Sequence, residues 1–430
     1  MDFQRKEFYS ARQRILEGRD LESLIFQTID DAIEQSVNDY LGSDYRAKVV
    51  AEWSRTTFDT PLDPKRIDPE DPEAIQQLIR ATGLHEARET IRTSLIEYVD
   101  PDADSAEWDL AGLMQWAQRA YKFSHTQNQL RKMDPGDIED ELCEAAELHF
   151  ATLDFSGLDV YLDETLGLSQ LCEWARAKFS IKIDRDEAKD KSAHEVADLL
   201  RQQVRKAYHE REITYPVRQC ISRAFGEMST DNSQACEIVC RWAKLKYGVD
   251  WAIEDIQGQT VGAIAERLTA LQRDYVTNNT LDKQVDEAIS SRSGEALVEW
   301  GKARFGRAWD QKRFDESSDD PRDALCEMGR RMLRFELTAL EHYILLRIYD
   351  QAWKDHLLEM DRLKTAIMQR PMGGDQTHPQ SQYAIEGREF FDQMWTLIRT
   401  RVTEIIFKLR AGGPAAAGRK WAMQMQHTDA

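Results

Sequence analysis

Apolar residues recur at steps of three and four through most of this chain, the spacing that lines one face of a helix. The clearest case is the stretch Tyr349 to Arg410 and the residues leading into it. A first arm carries Leu345, Ile348, Ala352, His356, Met360, Leu363 and Ile367 on one face, and Pro371, Gly373 and Gly374 stop it. The pattern resumes through Tyr383, Phe390, Met394, Leu397, Ile398, Val402, Ile405 and Leu409, and Gly412, Gly413 and Pro414 close it. Two amphipathic arms joined by so short a loop predict an antiparallel hairpin that buries its stripes on each other and on a third element. The N-terminal stretch predicts two more helices. Phe3, Phe8, Tyr9, Ile15 and Leu16 form an imperfect stripe, and Asp20 can cap a second helix with Leu21, Leu24, Ile25, Ile29, Ile33 and Val37.

Between about residues 45 and 320 a longer period appears. Its unit is an aliphatic residue, two variable residues, Trp, a small residue, three variable residues, then Phe or Tyr. The copies are Val50/Trp53/Ser54/Phe58, Leu113/Trp116/Ala117/Tyr121, Leu171/Trp174/Ala175/Phe179, Val239/Trp242/Ala243/Tyr247 and Leu297/Trp300/Gly301/Phe305. Successive Trp positions differ by 63, 58, 68 and 58 residues. The small residue leaves room where another helix crosses. About 22 residues beyond each Trp, near Ile75, Ile138, Val196, Ile264 and Arg322, another helix is expected. A third helical stretch, such as Val217 to Phe225, separates most copies. Units of this kind stack because none buries its apolar face alone. Trp53, Trp116, Trp174, Trp242 and Trp300 are expected in the repeat core, the other reading being an aromatic ligand groove. The acidic, proline-bearing stretches Asp63 to Pro72, Asp100 to Asp104 and Asp315 to Pro321 read as solvated loops.

Composition turns this pattern into a fold class. Of 430 residues 41% are hydrophobic and 31% charged, with only 21 Gly and 11 Pro, which suits long solvated helices. The expectation is an all-α, elongated protein with a two-helix hairpin near its C-terminal end and five repeated helical modules. Its divisions would be 1–44, the two opening helices; 45–320, the repeats; 321–412, the helical stretch with the hairpin; and 413–430, a flexible tail. The formal charge of −20 argues against nucleic acid or an anionic membrane surface as the main partner. Six cysteines, of which only Cys236 and Cys240 are close, read as buried thiols of a reducing compartment. No apolar run approaches a membrane span and no signal-peptide core follows Met1, so a cytoplasmic protein is expected.

Catalytic motifs are missing. Gly294 to Gly301-Lys302-Ala303 has neither the spacing nor the hydroxyl of a phosphate-binding loop. His356 has Asp355, Glu359 and Asp361 nearby, but a helical two-metal site needs Glu-x-x-His, and Trp353 stands at the Glu position. On the second arm Glu386, Glu389 and Glu404 come with no histidine, so a packed or salt-bridged His356 is expected and no metal or catalytic residue. The loop Arg370-Pro371-Met372-Gly373-Gly374 reads either as a plain turn between helices or as an adaptable, sequence-tolerant apolar contact.

At these residues the chain resembles the SecA family of preprotein translocation motors. Trp353, Lys354, His356, Leu357, Met360, Asp361 and Leu363 match that family's signature for the first arm of its two-helix finger. Pro379, Tyr383, Glu386 and Phe390 match the segment that follows, although His378 replaces the usual Asp. The opening MDFQRKEFYSARQRIL is similar to the start of the family's helical scaffold. The match covers roughly the first 40 and last 90 residues, and the family's helical wing carries one Trp helix where five stand here.

The resemblance implies a scaffold, an enlarged wing and a finger whose tip, Arg370 to Gly374, contacts unfolded preproteins at the mouth of the SecYEG channel. Met372 stands where the family usually has Tyr. It also implies peripheral association with the inner membrane through the channel, and ATP with Mg²⁺ only in family domains that lie outside this sequence; in this chain no cofactor is expected. Met1 falls at an internal position of the family, so the chain is expected to be a fragment, a product with a misplaced start, or one half of a split motor with a separate ATPase half. The competing expectation is a stand-alone helical-repeat scaffold with no channel role.

Overall fold

A computed structural model describes residues 2–18, 21–100, 104–226, 229–369 and 379–408. The described residues form an all-α protein without strands. The chain opens with α1 (Asp2–Leu16) and α2 (Leu21–Tyr40), followed by α3 (Tyr45–Phe58), α4 (Pro72–Tyr98), α5 (Leu110–Tyr121), α6 (Gln127–Leu130) and α7 (Pro135–Ala151). Then come α8 (Asp159–Leu162), α9 (Leu166–Phe179), α10 (Arg185–Ala188), α11 (Ala193–Phe225), α12 (Ser233–Tyr247) and α13 (Val261–Thr277). The chain continues with α14 (Thr280–Ser291), α15 (Glu295–Phe305), α16 (Gln311–Glu316), α17 (Pro321–Gln369) and α18 (Pro379–Lys408). Two compact units result, one of residues 1–34, 175–182 and 197–430, the other of residues 35–174 and 183–196.

The five Trp helices, α3, α5, α9, α12 and α15, are built alike. Each ends at the Phe or Tyr of its sequence unit, and the next residue has a positive φ: Asp59, Lys122, Ser180, Gly248 and Gly306, between 53 and 70°. In four copies the Trp ring meets that Phe or Tyr edge to face at 5.0 to 5.8 Å. Eleven residues after every Trp a short helical turn begins, at Pro64, Gln127, Arg185, Ile253 and Gln311. The long helix follows at Pro72, Pro135, Ala193, Val261 and Pro321.

Polar side chains set this register. Asp63, Asp184 and Asp310 accept backbone N–H groups at the start of the short turns, and Asp71, Ser192 and Thr260 do so for the long helices. The acidic stretch Asp63 to Pro72, which reads as a solvated loop, therefore carries two helix caps. A cap lost to Ala costs about 1 kcal/mol, so its composition is a folding signal as well as a solvated surface.

The aliphatic and small positions of the unit are fully buried in every copy, Ser54, Ala117 and Ala243 among them. The indoles sit at the margin: Trp53 is buried, whereas Trp116, Trp174, Trp242 and Trp300 are half-buried. In the unit of residues 35–174 and 183–196, α3 packs with Ile75, Ile79, Phe155 and Leu158, and α5 packs with α7 and the second half of α4. In the other unit α12, α13, α14 and α15 surround the first turns of α17 through Leu325, Met328, Met332 and Leu333.

The first hairpin arm is the last part of a 49-residue helix, α17, which at 1.5 Å per residue runs roughly 73 Å. All seven residues of its predicted stripe are buried. On α18 the stripe differs by one residue at several points. Gly387, Phe391, Met394, Ile398, Val402 and Ile406 are buried, Phe390 and Ile405 are half-buried and Leu397 is exposed. Adjacent apolar pairs at 390/391, 397/398 and 405/406 leave the helical phase ambiguous in sequence, and close packing at Gly387 decides it. On α1, likewise, only Phe8 and Ile15 of the five predicted stripe residues are buried.

Candidate functional site

The residues that carry the finger signature meet at one joint, where α1 lies on α17 and α18. Trp353 is buried and stacks on Phe8 of α1, centroids 4.5 Å apart and planes 10° apart. Tyr9, Tyr349 and Trp395 extend the aromatic cluster around Phe8. Offset stacks of this kind add about 0.5–1.5 kcal/mol beyond the area they bury.

His356 sits one turn on, 3% exposed, with the Phe391 ring at 5.6 Å. Gln4 ties the three helices together. Its amide nitrogen donates to the Gly387 carbonyl at 2.8 Å, which leaves its oxygen facing His356 Nε2 at 3.3 Å. That arrangement assigns the proton to Nε2, and Nδ1 is buried without a hydrogen-bond partner. Burial pushes the imidazole pKa down, so His356 is a neutral packing and hydrogen-bonding group at pH 7. Arg12 and Asp350 close the far end of the joint with an ion pair at 2.6 Å.

Glycine at 387 allows a close approach of α17 and is not there for its φ. A Cβ there would lie 2.6 Å from Met360 Cε, and the buried Met360 fills the space. Beyond it Met360, Leu363 and Ile367 form an apolar cluster against Tyr383 and Phe390. The other signature residues are peripheral: Leu357 and Glu386 are half-buried and Asp361 is exposed. Arg370, Pro371, Met372, Gly373 and Gly374, the expected tip, lie outside the described residues, as do Leu409 and the tail from 413.

Sequence reasoning missed Gln4, Gly387 and Phe391, whose roles appear only once α1 is placed. Gln4 carried no apolar signal, and Phe391 lost out to its neighbour Phe390. It also missed a buried polar junction in the same unit. Arg334 of α17 contacts Glu22 of α2 and lies 3.1 Å from Glu212 and 3.4 Å from Glu341, while Tyr208 donates to Glu341 at 2.5 Å. Buried Lys246 pairs with Glu336 at 2.5 Å, and the Trp242 indole donates to the same carboxylate at 2.7 Å, which fastens α12 to α17.

Among the described residues no group of His, Cys, Asp and Glu could hold a metal, and no helix is long and apolar enough to cross a membrane. The six cysteines form no disulfide; five are buried and Cys143 is half-buried. Gly301, whose segment lacks the spacing of a phosphate-binding loop, packs against the Trp309 ring.

A family model described as the SecA Wing and Scaffold domain matches residues 250–410. The whole chain is 24% identical to the protein translocase subunit SecA 1 of Rhodopirellula baltica, and it covers 36% of that protein. The SecA subunit of Syntrophobacter fumaroxidans is 30% identical over 38% of this chain and 16% of its own length. That of Deinococcus radiodurans is 36% identical over 42% of this chain and 21% of its own. The chain thus spans about a third or less of these relatives. No solved structure gives a significant match.

Proposed function

We propose that this protein, whose residues 250–410 match the SecA wing and scaffold model and which is similar to a SecA subunit along its whole length, is the scaffold, wing and two-helix-finger part of a protein translocation machine. In this reading the α17–α18 hairpin touches an unfolded preprotein at the SecYEG channel, through the tip residues Arg370 to Gly374. The protein then works on the cytoplasmic face of the inner membrane, peripherally and by way of the channel. Movement would come from a separate ATPase part that holds ATP and Mg²⁺.

One observation carries the reading. The signature residues Trp353, His356 and Met360 make the joint that fixes α1 and α18 on one continuous helix. A finger needs such a base, because a tip pressed against a moving chain transmits force only if its root does not yield. A photo-cross-linker at position 372 tests the proposal. Adducts with a translocating chain or with the cytoplasmic loops of SecY are expected.

The shared register of the five Trp helices favours a second reading, a helical-repeat interaction scaffold without a channel role. Deleting 45–320 separates the two. Loss of all binding would favour the repeats, whereas binding to the channel that survives the deletion would favour the hairpin.

A further inference from the structure

Three carboxylates share one guanidinium where α2, α11 and α17 meet. Glu22 comes from α2, Glu212 from α11 and Glu341 from α17, all on Arg334. They differ in access to water. The Glu341 side chain is 2% exposed and that of Glu22 45%. Arg334 reaches Tyr208 Oη at 2.8 Å, and Tyr208, itself buried, donates to Glu341.

The other charged or titratable groups around the junction are few. On α11 Arg211 adds a second guanidinium and donates to the Phe407 carbonyl of α18, His209 lies 3.1 Å from Glu212, and Arg205 pairs with Asp30 of α2. The α13 neighbour, Gln272, is uncharged and donates to the Glu212 carbonyl. With His209 uncharged, Arg334 and Arg211 thus face three carboxyl groups, and the cluster is neutral when one of the three holds a proton. Ionising the third in so dry a site is costly unless an ion pair is rearranged to meet it.

We propose that this junction is a proton-dependent latch on the start of α2. With Glu341 protonated, Arg334 holds Glu22 and keeps residues 21–34 docked. When Glu341 loses its proton, Arg334 turns inward to the new carboxylate and Glu22, the one acid with ready access to water, is released. Burial pushes the Glu341 carboxyl up to about 7; Arg334 and the Tyr208 hydroxyl pull it down, and Glu212 and Glu22 push it up. Release removes Glu22 and tightens Arg334, so the open form binds the proton less well. Opening therefore increases as pH rises toward about 7 and is level above it. The latch does not depend on the translocation reading, because it concerns only how α2 docks on α11 and α17.

Hydrogen exchange of residues 21–34 in the full chain, corrected for the pH dependence of chemical exchange, tests it. Opening should rise by up to about tenfold per pH unit below about 7 and then flatten. Glu341→Gln keeps a neutral, hydrogen-bonding side chain and should hold opening at its low-pH level throughout. Tyr208→Phe removes a donor that favours the ionised form, and should move the break to higher pH; this variant decides the matter if Glu341→Gln does not fold. His209→Gln should leave the slope in place, since a histidine is a candidate proton carrier by type; Glu212, whose carboxyl burial also pushes up, is another, and the Glu341→Gln result separates it from Glu341. A flat wild-type profile, an unchanged slope in Glu341→Gln, an unmoved break in Tyr208→Phe, or a slope lost in His209→Gln would each overturn the latch.

Discussion

Truncating Phe8 should loosen the base of the hairpin far more than its place near the start of the chain suggests. The side chain is 1% exposed, and it stacks on Trp353 with Tyr349 and Trp395 beside it. Replacing a buried Phe by Ala costs about 3–5 kcal/mol, from lost transfer energy plus the cavity left behind. The rings of Trp353, Tyr349 and Trp395 wall this cavity. Because two compact units need not unfold together, a global melting curve would blur the effect. Hydrogen exchange read locally avoids this. In Phe8→Ala, opening of residues 2–16 and 349–360 should rise by about two to nearly four orders of magnitude, taking roughly 1.4 kcal/mol per tenfold. Phe3→Ala, at a site 74% exposed, should change it by less than about threefold, the effect of roughly 0.5 kcal/mol. If Phe8→Ala and Phe3→Ala behave alike, the aromatic joint does not hold α1 on the hairpin.

Other consequences are as direct. Gly301→Ala places a Cβ 2.1 Å from the Trp309 ring, so it should cost about 1–3 kcal/mol in local opening of 295–305 read by hydrogen exchange, and a neutral result would mean that the indole moves freely. Gly248→Ala meets no atom within 4 Å but keeps a φ of 70°, so it should cost only about 1–2 kcal/mol, all of it backbone strain. The folded-state pKa of His356 is depressed, so its contribution is present above the ordinary histidine value and is lost as pH falls through the folded value. Wild type should therefore lose protection at the α1 joint on acidification relative to His356→Gln; parallel profiles would show that the imidazole does not titrate within the joint.

The helical class and the first arm were legible because apolar positions recur at steps of three and four without a break, as the buried run from Leu345 to Ile367 shows. Where two apolar residues adjoin, as at Phe390 and Phe391, periodicity does not choose, and the choice rests on the approach of Met360 to Gly387. The Trp period was legible for the same reason. Its common exit was not, because Asp59, Lys122 and Ser180 have no glycine to announce a positive φ. Nor was the Arg334 junction, whose members lie far apart in sequence. Long-range polar contacts leave no period to read, and Gln4 on His356 is another such case, 352 residues apart.

The central claim is that the hairpin, rooted in the Phe8, Trp353 and His356 joint, carries a contact with preprotein at its tip. The most direct measurement is photo-cross-linking from position 372 during translocation, in the full chain and in Phe8→Ala. Adducts with the translocating chain in the full protein, reduced when the root is loosened, are predicted. An absence of adducts from 372 in a protein that remains bound at the membrane, with binding lost only when 45–320 is deleted, would contradict the account.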